Sequence, residues 1–126
     1  MQVKNGELLV YAKFLDGMKL KGKASIGRTN LMQSLTSKSE ELVKNQTVII
    51  DEFDGWVDKD KGTFKQDDEE LNSAMNDLLT QDVNVDFESP FKDNLMESLE
   101  NYDQELSGQD AAVYAKLYEF LNKEEN

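Results

Sequence analysis

The stretch SIGRTNLMQSLTSKSEELVKNQTVIIDEF, residues 25–53, decides the fold. Arg28, Met32, Leu35, Ser39, Leu42, Gln46, Ile49 and Phe53 recur at steps of three and four, with Leu31, Val43 and Ile50 beside the stripe. That period is helical. No glycine or proline interrupts it between Gly27 and Gly55. A helix of about 29 residues spans roughly 43 Å. A compact domain of this size has a radius of gyration near 14 Å and is about 36 Å wide. A straight helix would overhang it, so the helix bends, stops early or packs on a partner copy. Its weakest point is Thr47-Val48-Ile49-Ile50, a β-branched run that locally favours strand.

Upstream, Asn5 is a good N-cap, and Leu8, Leu9, Ala12 and Leu15 give a first helix one apolar face that ends near Gly17. Residues 18–23 alternate apolar and basic side chains and read as a connector. Downstream, Gly55-Trp56-Val57 and Thr63-Phe64-Lys65 flank a polar loop closed by Gly62, the pattern of a short hairpin. Asp67 or Asp68 caps a third helix carrying Leu71, Met75, Leu78 and Leu79. Val83, Val85 and Phe87 alternate with polar residues as a half-buried strand, expected to be the third strand of the hairpin. Ser89-Pro90 opens a fourth helix with Phe91, Leu95, Leu99, Tyr102 and Leu106 inward. Ser107-Gly-Gln-Asp110 opens a fifth, with Ala111, Tyr114, Leu117 and Leu121 on its apolar side. Lys123 to Asn126 read as a fraying end. The expected fold is α+β, mainly helical, with about five helices and a small two- or three-stranded antiparallel sheet. Residues 1–126 form one domain, a basic helical half at 1–54 and an acidic α+β half at 55–126.

Composition removes many functions. The 126 residues contain no cysteine and no histidine, which excludes disulfides, thiolate nucleophiles and zinc–thiolate sites, and leaves no imidazole base or ligand. No apolar run reaches the length of a membrane span or of a signal peptide's centre, so a soluble chain made in the cytoplasm is expected, with no membrane partner. The net charge of −12 is uneven. Residues 1–50 hold eight basic against four acidic side chains, and the remainder six against twenty-two. No acid occurs between Gly17 and Ser39, where Lys19, Lys21, Lys23, Arg28 and Lys38 fall. Such a total repels nucleic acid at long range, so direct nucleic-acid binding is disfavoured. The basic stretch suits an acidic surface, either its own or a partner's.

The catalytic signatures are missing. Asp58, Asp60 and Glu69 fall at positions 1, 3 and 12 of a calcium loop, but Gly62 stands at position 5 and Thr63 at the sixth position, where the turn needs glycine. Walker loops, G-x-G-x-x-G and G-x-S-x-G do not occur. The chain therefore reads as a non-enzyme without cofactor or metal. Asp93, Glu97 and Glu100 share a helix face about 5–6 Å apart, near phosphate spacing, so they also suit imitation of DNA. Trp56 and Tyr118 are the aromatics expected to face a partner.

The order of motifs resembles an uncharacterised family of small acidic proteins from phages and prophages of Gram-positive bacteria. Lys4-Asn-Gly-Glu-Leu-Leu9, Phe14-Leu15, Lys19-Leu-Lys-Gly-Lys-Ala-Ser25 with Arg28, and Lys38 with Glu40-Glu41-Leu42 carry the first part. Residues 71–85 and Leu106-Ser-Gly-Gln-Asp-Ala-Ala-Val-Tyr114 carry the rest, so most of the chain is covered in order. Members often have a longer acidic, Gly-rich turn than residues 58–62. The resemblance implies a phage origin and a shared scaffold, and it brings no catalytic residues. The expectation is a phage-encoded protein that acts by protein–protein contact in the host cytoplasm or as a minor virion, morphogenesis or accessory component. Self-association or a phage or host protein would engage Lys19, Lys21, Lys23 and Arg28. The alternative is an acidic DNA mimic that inhibits a host nucleic-acid enzyme or defence system, of anti-restriction or anti-CRISPR type.

Overall fold

A computed structural model describes residues 1–123; Glu124 to Asn126, most of the expected fraying end, lie outside the described residues. The elements are β1 (Gln2–Lys4), α1 (Leu8–Gly17), α2 (Gly22–Glu52), β2 (Trp56–Asp58), β3 (Thr63–Phe64), α3 (Glu69–Thr80), β4 (Asp82–Asn84), α4 (Lys92–Glu100) and α5 (Gly108–Lys123). The architecture is α+β and mainly helical, with two small antiparallel sheets. No helix among the described residues is long and apolar enough to cross a membrane.

The long helix is continuous through residues 47–50. It has 31 residues, a length of about 46 Å. Tertiary packing outweighs the local β preference there. Ile50 is buried with Leu71 and Met75, and the Thr47 hydroxyl donates to the Val43 carbonyl at 3.0 Å. Both ends of the helix are covered by residues of this chain. Near its start, Leu31 and Leu35 join the main core with Leu8, Leu15, Val85, Leu95, Leu99, Leu117 and Leu121. Near its finish, Ile50, Leu71 and Met75 form a second, smaller core, flanked by Phe53, Trp56 and Phe64. No α2 side chain between Leu35 and Ile50 is fully buried. The main core draws on both the basic and the acidic half of the sequence.

Three local expectations are corrected. Val83 pairs with Val3 of β1 rather than with the hairpin, whose only strands are β2 and β3. The hairpin gains its missing support from α2 and α3 instead. Asn5 does not cap α1, which begins at Leu8 after a 3-10 turn over Asn5–Glu7. It faces the end of α3: its side-chain amide donates to the Leu78 carbonyl at 3.0 Å, and its backbone N–H donates to Gln81. Asn5 thereby satisfies carbonyls that a helix end leaves open. The regular fourth helix starts at Lys92 rather than at Pro90, after a turn over residues 90–91 that Ser89 caps, its hydroxyl accepting the Phe91 N–H and donating to Asn30 of α2. Asp68 caps α3 as expected, accepting the Leu71 N–H at 3.1 Å.

Candidate functional site

Arg28 builds the connector. Its guanidinium donates to the Leu15 carbonyl at 3.3 Å and to the Met18 carbonyl. Both acceptors lie at the end of α1, where the helix dipole is negative and carbonyls lack helical partners. Arg28 is half-buried, and through these bonds it holds the chain that carries the lysines. Met18 is buried and Leu20 half-buried, whereas Lys19, Lys21 and Lys23 are all exposed. Met18 and Lys21 have extended backbone angles. Lys19 and Lys21 therefore sit at alternate positions, with Leu20 between them turned to the core.

This connector forms one wall of a trough. Its central depression, about 400 Å³, lies between Lys19 and Lys21 on one side and Ser98, Asn101 and Gln104 on the other, with Tyr102 and Asp103 beside them. A second depression, about 410 Å³, continues past Lys21 and Lys23 along Asn94 and Glu97. A third, about 340 Å³, continues from Gly17 and Tyr102 past Lys13, Phe14 and Gln109. The first two share Lys21, Ser98 and Asn101, and the first and third share Gly17 and Tyr102. One wall thus carries lysines, and the other carries amides and hydroxyls together with the carboxylates of Asp103, Glu97 and Asp110. Among the described residues the ion pairs are Lys38–Glu41 and Lys59–Asp51. Glu97 faces the same depression as Lys21 and Lys23 without pairing within 4.0 Å.

Tyrosines support the far wall. Tyr102 stacks on Tyr114 with ring centroids 6.0 Å apart, and Tyr114 donates its hydroxyl to the Leu99 carbonyl. Burial, then Tyr118 and Glu100, push the Tyr114 phenol above its ordinary value, so it stays a neutral donor at physiological pH. Tyr118 continues the row 6.2 Å from Tyr114, but it does not line the trough. Asp93, Glu97 and Glu100 are exposed on α4, and of the three only Glu97 borders the trough. Lys13, Ser98, Asn101, Tyr102 and Gln104 belong to the site although sequence reading did not select them. Tyr102 continues the Leu95–Leu99 stripe and so reads as core.

Trp56 belongs elsewhere. It lies beyond the finish of α2, whereas the connector lies before its start. Its indole N–H donates to the Asp51 carboxylate at 2.6 Å, and Lys59 sits 5.9 Å from its ring centroid. The indole hydrogen bond first, and the Lys59 charge after it, hold the Asp51 carboxyl below the usual carboxylate range. A lowered folded-state value makes this contact complete above the unfolded value and lost as pH falls through the folded one. Fluorescence of the single tryptophan should therefore change only below the usual carboxylate range, and Asp51→Asn should abolish that acid step. A step within the usual range, or an unchanged step in the variant, would contradict the assignment. Asp58 serves the hairpin turn, accepting the Lys61 N–H at 3.3 Å.

Compared with protein-family models, curated proteins and solved structures, the chain shows no match.

Proposed function

We propose that this chain is a small, phage-encoded, non-enzymatic protein that works by docking another protein against the Lys19–Lys23 side of the trough. The supporting observation is the set of three exposed lysines without an ion-pair partner among the described residues, on a connector fixed from behind by Arg28. The connector backbone is already ordered in the folded chain, so docking pays for ordering the lysine side chains but not the segment that carries them. The partner is an acidic protein surface, either a phage or host protein or a second copy. The place of action is the host cytoplasm, or the virion as a minor or morphogenetic component.

The DNA-mimic reading ranks second. α4 has nine residues and is only about 13 Å long, and Lys21 and Lys23 border the same depression as Glu97. A phosphate-binding enzyme would meet those cations together with the acids.

Lys21→Glu/Lys23→Glu should weaken association at least tenfold in low salt, and the effect should shrink as salt screens the charges. Lys61→Glu/Lys65→Glu, on the exposed hairpin, is the matched control and should leave association intact. Sedimentation and light scattering measure self-association, and retention on the immobilised full chain measures binding of phage and host proteins. Equal association for both double variants would remove the trough from the account. Loss of the partner to duplex DNA, with both variants still binding, would favour the mimic.

A further inference from the structure

We infer that the trough takes an extended, acid-bearing segment of the partner protein, added as a strand along residues 19–21; this rests on the docking reading above. The connector is already strand-like, with Met18 at φ −75°, ψ 135° and Lys21 at φ −125°, ψ 147°. The backbone N–H and C=O groups of Lys19 and Leu20 make no hydrogen bond among the described residues. Both residues nevertheless border the central depression. Extended backbone with open donors and acceptors beside a groove is a template for another strand.

The side chains fit the same guest. Alternate residues of a strand repeat at about 6.8 Å. Lys19 and Lys21 obey that repeat on the open side, while Leu20 anchors the segment to the core. A guest with carboxylates at alternate positions meets the lysines in register. Across the trough, Ser98, Asn101 and Gln104 offer neutral groups that donate and accept, suited to a backbone or to small polar side chains, while Asp103, Glu97 and Asp110 on that side favour a guest whose acids face the lysine wall and not the far one. The absence of acids from residue 17 to residue 39 keeps like charge off the lysine wall. The trough continues beyond the connector at both ends, which suits an extended chain better than a compact ion.

The test uses the full chain, isotope-labelled, and a blocked synthetic peptide of about nine residues alternating Glu and Thr, long enough to cross the three depressions. The expected result is a set of amide shifts confined to residues 13–23 and 94–109, with affinity falling about tenfold or more as salt is raised. Lys19→Glu/Lys21→Glu should abolish them. A peptide methylated on every backbone nitrogen keeps its charge but has no N–H to donate on either edge, so it cannot add as a strand, and it should bind at least tenfold more weakly. The inference is overturned by shifts elsewhere, by equal binding of the methylated peptide, or by equal binding of a single-stranded oligonucleotide of the same charge. It is also overturned if the peptide fails while Lys21→Glu/Lys23→Glu still releases the natural partner. In that case the docking reading stands without the added strand.

Discussion

Gly27→Val is expected to lower the unfolding free energy by about 2–3 kcal/mol, measured by denaturant titration. Gly27 is where α2 crosses the start of α4. A Cβ there would sit 2.7 Å from the Phe91 carbonyl oxygen and 3.3 Å from the Leu95 Cβ. The first neighbour is backbone, so no rotamer change relieves the clash, and the two helices must move apart. Leu95 and Leu99 of α4 are fully buried against Leu31 and Leu35 of α2, and that movement opens the main core. Replacing a helical glycine normally gains up to about 1 kcal/mol from backbone entropy. At Gly27 the overpacking outweighs that gain. Gly17, at the end of α1, has nothing within 4 Å of an added Cβ, so Gly17→Ala should be neutral or mildly stabilising. Equal effects at the two glycines would contradict the close crossing.

Arg28→Met is expected to cost about 2 kcal/mol and to loosen the connector, because hydrogen bonds to charged groups contribute about 1.5–3 kcal/mol. Methionine keeps the apolar stem and removes the forked donor. The carbonyls of Leu15 and Met18 then lose the cation that joins them. Hydrogen exchange at Met18, whose N–H is bonded to the Leu15 carbonyl at 3.2 Å, should quicken by more than the global loss of stability explains. Partner binding should weaken even though the three lysines are untouched. Arg28→Lys should restore part of the loss, since a single nitrogen, Nη1, serves both carbonyls and an ammonium also carries several donors, while the Nη2 contact with the Ser25 hydroxyl stays lost. If Arg28→Met loses stability but keeps full binding, connector rigidity plays no part in docking.

The long helix is legible because its apolar period survives for eight turns, and local preference at residues 47–50 yields to burial of Ile50. The Asp68 cap and the hairpin are legible for a similar reason, since each is decided within a few residues. Pairings across the chain are not. β1 offers a single apolar residue, Val3, and its partner strand lies about eighty positions away. Asn5 carries the right chemistry for capping, but sequence does not say which helix end it will face. The same limit divides the site. Its lysine wall is visible as an acid-free basic stretch, whereas Ser98, Asn101, Tyr102 and Gln104 reach it only through the packing of α4 beside the start of α2. Arg28 shares the charge of its lysine neighbours but is held at the end of α1, a difference set by burial and not by residue type.

The most direct test of docking at the trough is photo-crosslinking in cells that express the protein, with the photoreactive residue placed at Gln104 or, as the distant control, at the exposed Val57 of the hairpin. The account predicts a protein adduct from position 104 that is lost in Lys21→Glu/Lys23→Glu and whose cross-linked peptide is acid-rich, with none from position 57. No adduct from position 104, or the same adduct from both positions, would contradict it.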